Sequence, residues 1–237
     1  LSSRQVRLAM VGLGNVGRAF LELMESKAEV LQRRHGMNLC VVGAADSSGA
    51  VMDSRGISAS GLLAHKRSGA SVATYHDGQP GMAATAMMAS IEADLLLEAS
   101  AVSLKDGQPG LDCARIALRR GMGVVLANKG PLVHAFTELE KLAKETRAGI
   151  AYSATVCGAL PVVNVGRRDL VACEFRSVRG IFNSTSNSIL AAMSRGESYQ
   201  QALHQAQLDG IAEADPSLDV EGWDTANKLV IIANSVL

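Results

Sequence analysis

Between Asp209 and Ile232 the chain reads DGIAEADPSLDVEGWDTANKLVII, a run that gathers Asp209, Glu213, Asp215, Asp219, Glu221 and Asp224 ahead of Lys228. Asp224 and Lys228 are four residues apart, so on a helix they share a face. The nearly all-apolar turn that follows Lys228 partly buries it. Carboxylates gathered around one lysine suit a substrate that carries both an ammonium group and a reducible carbonyl. The plainer alternative is an ordinary helix ion pair preceded by a solvated loop.

A second chemical feature lies near the start. Gly12-Leu13-Gly14-Asn15-Val16-Gly17 is a GxGxxG that follows an apolar run and opens a helical pattern. The first glycine permits the tight turn, the second lets backbone approach a pyrophosphate, and the third lets helix pack on strand, so the motif in this setting predicts dinucleotide binding. Asp46 ends the next apolar run, where a carboxylate accepts hydrogen bonds from the adenine ribose of NAD; "DSSG" is also a good turn sequence, which is the structural alternative. Arg55, Lys66 and Arg67 downstream could accommodate the extra phosphate of NADP. "ASAVS", containing Ser100, and "ANKGPL", containing Lys129, sit at the ends of later strands, where an open α/β sheet places its ligand crevice.

The elements that must position these residues follow from hydrophobic period. "VRLAMVGLG", "NLCVVGAAD", "ADLLLEAS", "GMGVVLANKG" and "GIAYSATV" read as strands, separated by helical stretches such as "NVGRAFLELMESKAEVLQRRHG", "GLDCARIALRRG" and "AFTELEKLAKETRAG". Continuous apolar strands imply a parallel sheet covered on both faces, a doubly wound α/β sheet of Rossmann type. The pattern changes after about Ala159. "CEFRSVRGIFNSTSNSILAAMSRG" reads as strand, polar loop and helix, and "SYQQALHQAQLDG" as a further helix. The expected organisation is a dinucleotide-binding domain over 1–158 and an α+β substrate and dimerisation domain with its own sheet over 159–237.

Composition narrows the function classes. The chain has 237 residues, is 48% hydrophobic and carries zero formal charge, which gives a globular protein with no clustered basic face for nucleic acid or an anionic membrane. No uninterrupted apolar stretch reaches membrane-spanning length. Cys40, Cys113, Cys157 and Cys173 are widely spaced without a CxxC pair, which predicts reduced thiols and a cytoplasmic location.

Taken together, GLGNVG, "NKGPL", "ATVCGALPVV", "RGIFNSTSNSIL" and above all "GIAEADPSLDVEGWDTANKL" resemble the homoserine dehydrogenase family over nearly the whole chain. The resemblance implies reversible NAD(P)-dependent reduction of L-aspartate 4-semialdehyde to L-homoserine, in threonine, methionine and isoleucine biosynthesis, by a homodimer. It makes Lys228 the acid/base lysine, supported by Asp224, with Lys129 beside both cofactor and substrate. It assigns Glu213, Asp219, Thr185 and Gly180 to the substrate, and Ser100 with the glycine loop and Asp46 to the cofactor. "SATVCGALP" resembles a loop whose backbone carbonyls, at Ser153, Val156, Gly158 and Leu160, hold a sodium or potassium ion; oxygen ligands suit such a hard cation. Ser153 replaces the family's common glutamate, and Ser184-Thr185 replaces its usual Gly-Thr pair. Family members continue past the point where this sequence ends, so the second domain is expected to be incomplete at its C-terminus. Two rivals are a phosphorylating aldehyde dehydrogenase with Cys157 as nucleophile, which needs an adjacent base, and a nucleotide-sensing module without chemistry.

Overall fold

A computed structural model describes residues 4–237, which divide into two units, one running to Tyr152 and one from Ser153 to Leu237. The division lies upstream of the expected 158/159 boundary, so the whole Ser153–Leu160 loop goes with the second unit.

The first unit is a seven-stranded sheet with helices. β1 (Arg4–Val11), α1 (Asn15–His35) and β2 (Met37–Asp46) form the first βαβ unit. There follow β3 (Gly49–Ile57), α2 (Ala59–Arg67), β4 (Gln79–Pro80), α3 (Ala84–Ser90), β5 (Leu95–Glu98), α4 (Gly110–Arg119), β6 (Gly123–Leu126), α5 (Gly130–Thr146) and β7 (Ile150–Ala151). The strand order is β4-β3-β2-β1-β5-β6-β7. Pairing is parallel from β2 through β1, β5 and β6 to β7. It is antiparallel at the β3 and β4 edge. That edge is not evident from the apolar runs. Its cause is local: the DSSG segment joins β2 to β3 by a turn too short to carry the chain back to a parallel start. Val6, Leu8 and Met10 of β1 share one buried core with Leu21 and Met24 of α1 and Leu62 and Leu63 of α2. α3, α4 and α5 form a second packed group, with Leu111, Leu118, Leu132 and Leu139 buried. Order reverses between β2 and β5 on either side of β1, and the strand ends at such a switch point form the ligand crevice of an open α/β sheet.

The second unit is helical across its described residues. α6 (Val162–Asn164) runs into a π-turn over Val165–Asp169, and after an irregular stretch come α7 (Ser184–Ser194), α8 (Tyr199–Leu208), α9 (Ser217–Val220) and α10 (Trp223–Val236). Ile189, Ala192, Ala202, Ala206 and Ala212 make a small core, and α10 buries Ile231 and Ile232. The strand expected at Cys173–Val178, and the second sheet it would open, are not formed among the described residues. A strand exists only as part of a ladder, and among the described residues no segment pairs with this one.

Candidate active site

The glycine loop has the geometry its sequence implies. Gly12 adopts φ +91°, and a Cβ there would collide with the Ala99 carbonyl. A Cβ on Gly17 would strike the Gly12 carbonyl, whereas one on Gly14 would meet nothing within 4 Å. Gly12 and Gly17 are thus required by close packing, and Gly14 leaves open space at the start of α1. The helix has no side-chain cap and no acidic residue in its first turn. Its N-terminal N–H groups are therefore suited to an anion such as a pyrophosphate. Leu13 is buried and Val16 is exposed, and Asn15 Oδ1 accepts from Arg18.

Asp46 is engaged by groups of its own turn and of the segments beside it. One carboxylate oxygen accepts from the Ser48 N–H at 2.9 Å and from the Ser48 hydroxyl. The other accepts from the Val72 N–H at 3.0 Å and from Lys66 Nζ at 2.7 Å. Burial pushes this carboxyl up, but the Lys66 ion pair and the hydrogen bonds from Ser48 and Val72 outweigh it and hold the pKa at about 2. The side chain organises the β2–β3 turn and ties it to α2, which is the structural alternative raised by the DSSG sequence.

Ser100 and Lys129 follow β5 and β6, two neighbouring parallel strands. Glu98, the last residue of β5, is completely buried. It accepts from the Ser100 N–H at 3.0 Å and from the Ser100 hydroxyl. Asn128 Nδ2 donates to Ser100 Oγ at 3.2 Å, and its Oδ1 accepts from the Gly130 N–H at 2.9 Å. Asn128 thereby ties the loop after β6 to the loop after β5 through Ser100, and bridges within its own loop across Lys129, the N-cap of α5. Burial raises the Glu98 pKa against the opposing pull of these hydrogen bonds. The sequence reading missed Glu98 and Asn128; a carboxylate closing the apolar run "ADLLLE" was the signal available.

In the second unit the carboxylate-rich run separates into two classes. Asp209 accepts from Gln205, Asp215 from the Ser217 N–H, and Glu221 from the Trp223 indole; these are local turn and cap contacts. Glu213 has an exposed side chain, and its carbonyl accepts from Gln207 at 3.3 Å. Asp219 and Asp224 turn inward. Asp224 stands in the first turn of α10, where a carboxylate is favoured by the helix dipole, and Lys228 lies one turn later. Lys228 Nζ is 2.7 Å from Asp224 Oδ2, with both side chains largely buried, and it donates to the Phe182 carbonyl at 2.7 Å. Thr185, 1% exposed, directs its hydroxyl to Asp219 Oδ2 at 2.7 Å, with the Ile211 carbonyl at 3.1 Å. Asn183, absent from the sequence reading, donates to Asp219 Oδ1 at 2.7 Å and to Asp224 Oδ2 at 2.8 Å. Gly180 lies exposed in the chain that leads into this cluster. The cluster thus brings two carboxylates and one lysine together, a set of groups that can receive an amino group and exchange a proton.

The Ser153–Leu160 loop turns sharply, with Cys157 at φ +59° and Gly158 at φ +57°. The Ser153 carbonyl accepts from the Val156 N–H at 3.3 Å, and the Leu160 carbonyl from the Val162 N–H at 2.9 Å. Backbone carbonyl oxygens are the donor type that a hard monovalent cation takes. Burial raises the Cys157 thiol pKa, with Lys228 opposing and Asp224 reinforcing, which disfavours the thiolate a nucleophile needs.

Comparisons with known proteins agree with both halves of this picture. Residues 161–237 match the family model for homoserine dehydrogenase, and residues 2–104 match that for glutamate/leucine/phenylalanine/valine dehydrogenase. The chain is 35% identical to the NAD(+)-dependent homoserine dehydrogenase of Pseudomonas canavaninivorans, covering 98% of this chain and 66% of that one. It is 33% identical to the homoserine dehydrogenase of Methanocaldococcus jannaschii, covering 97% and 68%. A hyperthermophilic archaeal homoserine dehydrogenase solved in complex with NADPH superposes with a TM-score of 0.81 at 28% identity, over 98% of this chain and 70% of that one. This chain thus spans about two thirds of the length of these relatives.

Proposed function

This chain belongs to the homoserine dehydrogenase family, and on that premise we propose that it catalyses the reversible NAD(P)-dependent reduction of L-aspartate 4-semialdehyde to L-homoserine. The observation that carries the reading is Lys228, fixed by Asp224 and by the Phe182 carbonyl. The Gly12–Gly17 loop and the N-terminus of α1 hold the pyrophosphate, and Ser100 and Lys129 stand on the loops that follow β5 and β6. When bound, the dinucleotide supplies the hydride that reduces the aldehyde carbon. The carbonyl π electrons pass to oxygen, and Lys228 Nζ gives that oxygen a proton; in the oxidative direction the same nitrogen removes it from the hydroxyl. Asp219 and Glu213 hold the substrate amino group. Lys129 assists beside both reactants.

A sodium or potassium ion on the carbonyls of Ser153, Val156, Gly158 and Leu160 would fix the loop that carries Cys157. Among the described residues no helix is long and apolar enough to cross a membrane. The four cysteines are free, which supports a reducing compartment, and the reading places the protein in the cytoplasm as a homodimer serving threonine, methionine and isoleucine synthesis.

Product identity tests the proposal. With aspartate semialdehyde and reduced cofactor, homoserine detected by mass spectrometry should accumulate one for one with cofactor oxidised. Cofactor oxidation without homoserine, or, in a parallel assay with oxidised cofactor and phosphate, formation of an acyl phosphate from the semialdehyde, would replace this reading with a rival.

A further inference from the structure

Asn183 uses its side-chain amide on three groups at once. Its two N–H bonds go to different carboxylates, Asp219 Oδ1 at 2.7 Å and Asp224 Oδ2 at 2.8 Å. Its oxygen accepts from the Ser186 N–H at 2.9 Å, which makes it the N-cap of α7. The preceding carbonyl, that of Phe182, receives Lys228 Nζ. Residues 182 and 183 therefore touch every charged group of the inward cluster, and Asn183 is 7% exposed.

We propose that Asn183 is a positioning residue for the dehydrogenase reaction, an inference that rests on the function proposed above. Its amide fixes the separation between the carboxylate that receives the substrate ammonium, Asp219, and the one that holds the proton-transferring lysine, Asp224. Two carboxylates in a shielded site repel each other. An ionic bridge between them would neutralise the charge that attracts an ammonium group, whereas an amide supplies two donors and no charge. Asn183 keeps the cluster at a net negative charge and still holds both carboxylates. Thr185, bonded to Asp219 Oδ2, fixes that carboxylate from its other oxygen. The substrate amino group and the aldehyde oxygen are then presented at one spacing, which selects a substrate whose ammonium and carbonyl lie a fixed number of carbons apart.

The cap role and the bridging role separate by substitution. Serine caps a helix about as well as asparagine, but it is too short to reach both carboxylates. Aspartate caps equally well but faces Asp219 and Asp224 with acceptors instead of donors. In the full-length protein, Asn183→Ser should keep thermal stability and cofactor Kd near those of the parent, lower kcat about 10- to 100-fold and raise homoserine KM. Asn183→Asp should shift the pH profile of kcat/KM for homoserine, because it adds a carboxylate to a cluster whose titratable groups are Asp219, Asp224, Lys228 and the nearby Cys157 thiol. Asn183→Gln, with the same amide on a longer arm, should recover less than half of the lost kcat. Parental kcat, KM and pH profile in Asn183→Ser and Asn183→Asp would overturn the proposal, as would losses that merely follow lowered stability with the pH profile unmoved. A parent protein that gives no homoserine-dependent turnover would instead overturn the function on which the inference rests.

Discussion

Lys228 and Asp224 stand one helical turn apart on α10 with Nζ and Oδ2 at 2.7 Å, largely buried. An i,i+4 pair at the surface contributes a few tenths of a kcal/mol. Here the lysine is also fixed by the Phe182 carbonyl, and Asp224 shares the Asn183 side-chain amide with Asp219, so the pair defines a position more than it adds stability. Lys228→Met keeps most of the side-chain volume and removes the ammonium group proposed to donate the proton. It should lower kcat by about 10²- to 10⁴-fold, the usual worth of a positioned acid or base, with cofactor Kd unchanged. Lys129→Met is the control: if it abolishes turnover while Lys228→Met stays near parental, the two lysines exchange roles.

For Asp46 the folded pKa, about 2, lies below the ordinary value of 3.8. A depressed carboxylate adds stability that is fully present above the unfolded pKa and is lost as pH falls from about 4 toward 2. Asp46→Ala should therefore lower stability at neutral pH and weaken NAD and NADP alike, through loss of the β2–β3 turn. Calorimetry and cofactor titration check this. Selective loss of NAD with unchanged stability would return Asp46 to the ribose.

Much of this was legible beforehand, and the misses have physical causes. The parallel strands and the glycine loop announced themselves because buried parallel strands are apolar throughout and a GxGxxG has few other uses between a strand and a helix. β3 was missed because "GAVMDSRGI" mixes polar and apolar residues on an antiparallel edge. Lys228 and Asp224 could be paired from their spacing alone. Asn183 could not, since its carboxylate partners lie 36 and 41 residues away, and only packing brings such distances together. The expected strand at Cys173–Val178 failed for a related reason: β-propensity indicates a strand, but only a partner makes one.

Glu98 gives the opposite sign from Asp46. Burial raises its pKa above 4.5, so the folded state binds the proton more tightly, and stability is lost as pH rises above that value. Glu98→Gln is neutral at every pH. Its melting temperature should gain on the parent as pH rises above the ordinary carboxylate value of 4.5. A gap that stays constant as pH rises would show that Glu98 titrates normally.

Cys157 tests the rival chemistry. Its carbonyl neighbours, not its thiol, belong to the proposed cation loop, and burial raises the thiol pKa. Cys157→Ser should leave kcat within about tenfold of the parent. Near-complete inactivation of a folded variant would favour a thiolate nucleophile.

The central claim is that this chain's acid/base lysine serves a nicotinamide-dependent oxidation of homoserine. The most direct measurement is the absorbance of reduced nicotinamide after homoserine is added to the protein with NAD and, separately, with NADP, for the parent and for Lys228→Met. The account predicts a homoserine-dependent rise for the parent with at least one cofactor, and a rate at least 100-fold lower for the variant. No rise with either cofactor, or equal rates for parent and variant, would contradict it.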